Sequence, residues 1–243
     1  MAERRDVGWA AFAGELEALQ LRLAEMRPPR WRPVADRPVL VAGVFAASAT
    51  GLVGVGAVGD PLWAGAVAVR TDAPERPTST AVIRGRANGP YVAGLLALRQ
   101  GPLLEQAVRS LGERPDVVVV NGTGRDHPRR AGIAVHLGAV LDTPTVGVTV
   151  RPLLAPSVEP GRERGDAAGL VLDGEVVGSV VRTRRGARPV FAHAAWRTDA
   201  EVALGVIVSV TGRSRTPEPI RLARRIAREV RARDEGRAPH AGR

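Results

Sequence analysis

The stretch of sequence that decides the fold reads Asp116-Val-Val-Val-Val-Asn-Gly-Thr-Gly124. Four consecutive valines predict a strand that is buried on both faces, as strands of parallel sheets are. A glycine-bearing loop follows, and apolar residues then predict a short helix over 133–141 and a second buried strand over 144–149. This alternation of strand and helix predicts an α/β fold.

The segments on either side of this unit extend the predicted sheet. Upstream, apolar runs separated by Thr-Gly and Gly-Asp-Pro turns predict three antiparallel strands, over 39–46, 51–58 and 63–70. Downstream, the dipeptide Asp173-Gly174 predicts a hairpin over 171–177, because both residues tolerate the backbone of a tight turn. A further strand is expected over 190–193.

The helices are predicted from apolar residues at spacings of three and four. They are expected over 8–26, 92–112, 200–210 and 220–233. Asp199 can cap the third of these, and Pro102 is expected to kink or split the second. The polar, proline-bearing segment 72–90 is expected to form a loop. The predicted fold class is therefore a mixed central sheet with helices on both faces.

The composition predicts one globular domain. A chain of 243 residues that is 44% hydrophobic can bury a full core, so we expect a single domain over 1–233 and a disordered basic tail over 234–243. The uncharged segment 38–59 is long enough for a membrane span, but its five glycines favour buried strands. Without a signal-peptide core at the start, the expected location is cytoplasmic. A monomer is the default expectation.

The charge is strongly basic and comes entirely from arginine. The formal net charge is +10, and the sequence contains no lysine. Because a guanidinium binds phosphate through two parallel hydrogen bonds, this charge favours a nucleic-acid partner. The alternative is a solvated basic surface, since residues 213–243 hold ten arginines against four acidic residues. We interpret the basic side of the helix over 220–233 in this second way.

Three motifs carry a family resemblance. They read Pro90-Tyr-Val-Ala-Gly94, Val120-Asn-Gly-Thr-Gly-Arg-Asp-His-Pro-Arg129 and Asp142-Thr-Pro-Thr-Val-Gly-Val148. In order and spacing they resemble segments of the endonuclease V family. The resemblance implies an RNase H-like fold. It also implies cleavage of DNA or RNA near deoxyinosine or inosine, with magnesium and water.

The resemblance also implies which positions should be catalytic, and most of them are replaced. Magnesium is held by anionic oxygen ligands, yet Phe45, Gln100 and Asn121 stand where the family pattern has acidic residues. Val150 stands at the family's lysine and Trp196 at a histidine. We therefore expect no metal cofactor, and little or no nuclease activity.

Other positions of the family pattern are kept. Pro90 and Tyr91 match a wedge that separates strands, and a tyrosine ring can stack in the gap left by an extruded base. The positions that match the family's base pocket are Gly94, Leu96, Gly122, Gly132, Ile133 and Leu153. His127 matches a site histidine that orients water or contacts phosphate, with a structural role as the alternative. Arg129 and Arg130 are candidate phosphate ligands.

Three functions follow from these observations. The leading hypothesis is an endonuclease V-like protein that binds nucleic acid, including inosine-containing or distorted strands, without efficient cleavage. The second is an active magnesium- or manganese-dependent repair endonuclease whose remodelled centre uses Asp126 and His127. The third is a protein-interaction scaffold, in which Phe45 and Val150 make the cleft apolar enough to accept a partner's side chain.

Overall fold

The computed structural model describes residues 7–52 and 54–236. Within these ranges the strands are β1 (Leu40–Ser48), β2 (Pro61–Arg70), β3 (Ala73–Arg86), β4 (Val117–Asn121), β5 (Thr145–Thr149), β6 (Ala167–Leu172), β7 (Glu175–Val181) and β8 (Val190–Ala194). The helices are α1 (Ala13–Glu25), α2 (Leu96–Arg109), α3 (Ile133–Leu141), α4 (Ala200–Ser209) and α5 (Glu218–Asp234).

All of these strands belong to one mixed sheet in the order β3-β2-β1-β4-β5-β8-β7-β6. β4 pairs in parallel with β1 and with β5, whereas the outer pairs are antiparallel. The valines of β4 are completely buried at the centre of this sheet. The expectation of a mixed sheet around a buried parallel unit is confirmed.

Helices cover both faces of the sheet. α1, α2 and α3 contribute Leu16, Leu104 and Leu137 to the core on one face, and α4 and α5 contribute Ile207 and Ile220 to the core on the other. Each of these helices has an apolar stripe along one side. Burying that stripe against the sheet stabilises the fold, because apolar surface is removed from water.

Helix α5 lies directly on β1 and β2 because glycines face it. A Cβ atom on Gly43 would overlap the backbone of Pro219, and one on Gly65 would overlap the carbonyl oxygen of Ala223. Side chains at these two positions would force the helix away from the sheet. The contact therefore fixes the position of α5 along β1.

The prediction of the third antiparallel strand is wrong, because this strand lies in a different segment from the one predicted. In the predicted strand 51–58, of which residue 53 lies outside the described part, Gly51, Gly54 and Gly56 adopt positive φ angles of 74°, 78° and 103°. Such angles break the extended backbone of a strand. The predicted loop 72–90 instead contains β3, an edge strand whose residues are all half-buried or exposed. A polar sequence suits such an edge.

Helix boundaries also differ from the prediction. α2 begins at Leu96 rather than at 92, and it continues through Pro102 as one helix. α5 extends to Asp234, which accepts hydrogen bonds from Trp63 Nε1 (2.6 Å) and Arg84 Nε (2.6 Å). Glu235 accepts two from Thr50. The expected tail thus begins inside the fold, and its residues 237–243 lie outside the described part. No helix of the described chain is long and apolar enough to cross a membrane.

Candidate functional site

A cavity of about 450 Å³ opens where the parallel strands end. β1, β4 and β5 run in the same direction, so their carboxyl ends meet at one edge of the sheet, where ligands of α/β proteins commonly bind. The volume falls in the usual range for small-molecule and cofactor sites. The lining residues are Phe45, Tyr91, Val92, Ala93, Gly94, Leu96, Asn121, Gly122, Thr123, His127, Ile133, Thr149, Val150, Arg151, Pro152, Leu153, Arg224 and Arg228.

Ten of the residues singled out from the sequence share this lining. They are Phe45, Tyr91, Gly94, Leu96, Asn121, Gly122, His127, Ile133, Val150 and Leu153. The set joins the wedge tyrosine, five of the six expected base-pocket positions and four of the six family-equivalent catalytic positions. The spatial association implied by the family resemblance therefore exists for these residues.

Other predicted site residues lie elsewhere. Trp196 follows β8, whose antiparallel pairing sets Ala194 opposite Val146 near the start of β5. Its buried side chain belongs to the core beneath α1 to α3, at the opposite edge of the sheet from the cavity. Gln100 is buried within α2, outside the lining. Gly132 precedes α3, where a Cβ atom would overlap Thr123, so it shapes the turn.

The two candidate phosphate ligands form ion pairs within the protein. Arg129 forms an ion pair with Glu17, and Arg130 pairs with Asp173 at 2.9 Å and donates to the carbonyl oxygen of Leu172 at 3.0 Å. Neither arginine lines the cavity. Their charges hold α1 and the β6–β7 hairpin against the loop after β4.

The cavity takes its positive charge from arginines that the sequence analysis did not select. Arg224 and Arg228 of α5 stack over the ring of Phe45, with guanidinium carbons 5.3 Å and 5.9 Å from its centroid. These distances are those of cation–π interactions. Burial, together with the neighbouring charge of Arg228, lowers the pKa of Arg224. The sequence predicts a solvated basic face for this helix, and in the structure Arg228 is exposed while Arg224 is half-buried. The sequence did not show that both side chains line the cavity.

The lining does not suit a divalent cation. It contains Arg151, Arg224 and Arg228 but no aspartate or glutamate. Within 7–52 and 54–236 there is no group of three His, Asp or Glu side chains placed to hold a metal ion. Magnesium needs several oxygen ligands, usually including carboxylates. The residues that face this cavity are suited to an anion instead.

Asp126, considered above as a substitute metal ligand, has a structural role. Its carboxylate is completely buried and accepts hydrogen bonds from the backbone N–H groups of Leu153 (2.6 Å), Leu154 (3.0 Å) and Ala155 (2.9 Å). These bonds occupy both oxygens. Asp126 therefore fixes the loop that places Leu153 in the cavity wall.

His193 lies behind this carboxylate and carried no motif in the sequence. Its Nε2 is 2.8 Å from the hydroxyl of Thr149, which itself donates to the carbonyl oxygen of Arg151 at 2.6 Å. Because a hydroxyl has one hydrogen, His193 Nε2 must be the donor. Its Nδ1 is 3.9 Å from Asp126 Oδ2. Burial lowers the pKa of His193 to about 4, with Asp126 acting in the opposite direction, so the ring is neutral at pH 7.

His127 positions the wedge segment. The backbone N–H of Arg129 donates to its Nδ1 at 3.2 Å, so Nε2 carries the hydrogen and donates to the carbonyl oxygen of Gly94 at 2.9 Å. Burial lowers the pKa of His127, and the bond to Gly94 opposes this. With both ring nitrogens occupied, the structural alternative fits better than water activation or phosphate contact.

Tyr91 projects from a segment that is held at both ends. The side chain is 49% exposed at the lip of the cavity, while its backbone N–H donates to Gly56. On one side, the buried guanidinium of Arg99 donates to the carbonyl oxygens of Ala57 (2.9 Å) and Gly89 (3.0 Å). On the other, His127 holds Gly94. Pro90, the second wedge residue, lines a neighbouring apolar groove.

Comparison with known proteins identifies relatives of this chain. A sequence model described as Endonuclease V matches residues 50–225. Endonuclease V of Nocardia farcinica is 42% identical over 190 residues, which span 77% of this chain and 79% of that protein. The structure of Endonuclease V from Streptomyces avermitilis is 33% identical with a TM-score of 0.80, covering 94% of this chain and 96% of that one. The catalytic domain of human Endonuclease V is 27% identical with a TM-score of 0.79, covering 90% and 96% respectively.

Proposed function

The chain belongs to the endonuclease V family and has its RNase H-like fold, and from this premise we propose that it binds nucleic acid in the cavity with little or no cleavage. The observation that carries the proposal is the lining itself. It joins an exposed tyrosine and three arginines with no carboxylate. Such a site attracts a phosphate backbone and offers a ring for base stacking.

Base recognition in this proposal uses the apolar part of the lining. Tyr91 stacks at the lip, and the pocket formed by Leu96, Gly122, Ile133 and Leu153 receives an extruded base. The Asn121 amide, which makes no hydrogen bond with other described residues, offers both a donor and an acceptor to that base. We propose that inosine-containing or distorted strands are preferred, because their bases unpair at lower cost.

The weak cleavage in this proposal follows from the chemistry of the lining. Hydrolysis of a phosphodiester needs an activated water and a group that accepts its proton. Phe45 and Val150 can do neither, and both nitrogens of His127 are already bonded. The arginines can offset charge on the phosphate, but they do not activate water. Cytoplasmic location and the monomeric state stay predictions.

Fluorescence titration with labelled oligonucleotides tests the binding. Inosine-containing and plain strands of equal length are compared at rising salt concentrations. We expect tighter binding of the inosine strand and a steep loss of affinity with salt, as for any site that releases counterions. Undetectable binding at low salt, or binding that does not respond to salt, would contradict the proposal.

A nicking assay separates binding from catalysis. The inosine strand is incubated with the protein in magnesium, in manganese and in chelator. We expect no cleavage above the chelator control. Metal-dependent nicking would instead establish the active-endonuclease alternative.

A further inference from the structure

We infer that Arg224 and Arg228 hold a backbone phosphate of the bound strand beside Phe45, the position at which the family resemblance places an acidic ligand, so that binding requires no divalent cation. The inference rests on the proposed function and deepens it. It assigns the phosphate contact to α5, a helix outside all three motifs that carried the resemblance.

The position of α5 is fixed by contacts along its whole length. Its first turn lies against Gly43, Arg231 donates to the carbonyl oxygen of Ser48 at 2.9 Å, and its last residue, Asp234, accepts from Trp63. Arg224 and Arg228 are four residues apart and therefore share one face of the helix. The fold thus delivers two guanidinium groups to the end of β1.

These two arginines differ from their neighbours on the helix in having no acidic partner. Arg221 pairs with Glu218 at 2.6 Å, and Arg225 pairs with Glu229 at 3.7 Å. No ion pair within the described residues involves Arg224 or Arg228, and the buried Nε of Arg224 makes no hydrogen bond there. Two like charges at this spacing repel each other. A phosphate between them would remove the repulsion and accept their hydrogen bonds.

Phe45 supports phosphate binding by the two arginines and cannot act as a metal ligand. Its ring provides a flat surface on which both guanidinium groups stack. An aspartate at the same place would form ion pairs with them and cancel the charge that attracts phosphate. The phenylalanine at position 45 and the two unpaired arginines together leave this end of β1 with positive charge and no carboxylate.

The test compares two variants with equal loss of charge. Arg228→Gln removes a cavity arginine, and Arg225→Gln removes one from the same helix outside the lining. In chelator, with a labelled 15-nucleotide single strand, we expect Arg228→Gln to weaken binding about tenfold and to reduce the salt dependence by about one counterion. We expect Arg225→Gln to stay within about twofold of wild type, and added magnesium to weaken binding in all three proteins by screening. Equal losses in both variants, or binding that appears only with magnesium, would overturn the inference.

A second measurement makes the inference independent of strand binding. Thermal unfolding is followed in sodium phosphate and in sodium chloride of equal ionic strength. Phosphate is expected to stabilise wild type and Arg225→Gln, but not Arg228→Gln, because a ligand stabilises only the state that binds it. This result without any oligonucleotide binding would contradict the proposed function and support the phosphate site. Oligonucleotide binding combined with equal phosphate effects in all three proteins would support the proposed function and contradict the phosphate site. Equal unfolding temperatures in chloride confirm that the variants fold.

Discussion

The guanidinium carbon of Arg224 lies 5.3 Å from the centre of the Phe45 ring, over the strand end at which an acidic residue is expected in this family. The pair joins two observations in one contact, namely the absence of a carboxylate at position 45 and a guanidinium without an acidic partner. The same contact predicts the charge environment of a carboxylate introduced at position 45. Phe45→Asp would set a negative charge beside Arg224 and Arg228, where ion pairing lowers the pKa of an acid.

For Phe45→Asp we therefore expect weaker oligonucleotide binding, by about tenfold, since neutralising a phosphate contact costs roughly 1.4 kcal/mol or more. We expect no metal-dependent nicking from this single change, because the new carboxylate is occupied by arginine and a metal ion needs further oxygen ligands. Phe45→Leu is the control for loss of the ring without added charge. Nicking by Phe45→Asp in magnesium would show that one carboxylate is sufficient.

The exposed ring of Tyr91 gives a second prediction. Stacking of a base on an aromatic side chain contributes about 1–3 kcal/mol, so we expect Tyr91→Ala to weaken binding of the inosine strand by about fivefold to a hundredfold. Tyr91→Phe keeps the ring and should stay close to wild type. Because the side chain is half exposed, neither change should alter the unfolding temperature by more than a few degrees. Competition between inosine-containing and plain strands measures the effect, and an unchanged preference in Tyr91→Ala would exclude a wedge role.

The parts of the fold that the sequence predicted correctly depend on neighbours along the chain. The valine run of β4, the turn at Asp173-Gly174 and the cap at Asp199 each act within a few residues. The structure shows the corresponding buried strand, the β6–β7 hairpin and a bond from Val202 N to the Asp199 carboxylate at 3.0 Å. The polar strand β3 was missed because its order comes from pairing with β2, which its own composition does not show.

The sequence located only part of the site. Motifs locate Tyr91, Asn121 and Gly122 because strand ends of one sheet must meet. The helix arginines were missed because their direction depends on how α5 packs against Gly43 and Gly65, far away in sequence. Trp196 was assigned to the wrong edge, since alignment to a motif does not show which end of an antiparallel strand faces the cavity.

The three hydrogen bonds to Asp126 predict a stability effect without a metal. Asp126→Asn replaces one charged acceptor oxygen by an amide donor that faces backbone N–H groups. Hydrogen bonds to charged groups contribute about 1.5–3 kcal/mol, so we expect the free energy of unfolding to fall by at least about 2 kcal/mol. Asp173→Asn, an exposed turn position where asparagine keeps the backbone conformation, should change it by less than about 1 kcal/mol. Urea unfolding compares the two, and equal effects would contradict the structural role of Asp126.

The buried ring of His193 predicts how stability depends on pH. Its pKa is about 4 in the folded protein, below the ordinary value of 6.5. Below pH 6.5 the unfolded chain binds a proton at this residue and the folded chain does not, so stability is full above pH 6.5, falls as the pH drops, and levels off below pH 4. The loss attributable to His193 is about 3 kcal/mol over this window.

His193→Gln isolates this contribution from those of other titrating groups. Glutamine does not titrate, and its amide can still donate to Thr149. The variant should be less stable than wild type at pH 7.5, where the altered packing alone counts. As the pH falls towards 4, wild type should lose stability faster, so that the difference between the two proteins decreases by about 3 kcal/mol. Urea unfolding at four pH values measures it, and a difference that stays constant with pH would show that the pKa of His193 is the same in the folded and the unfolded chain, which would contradict the effect of burial.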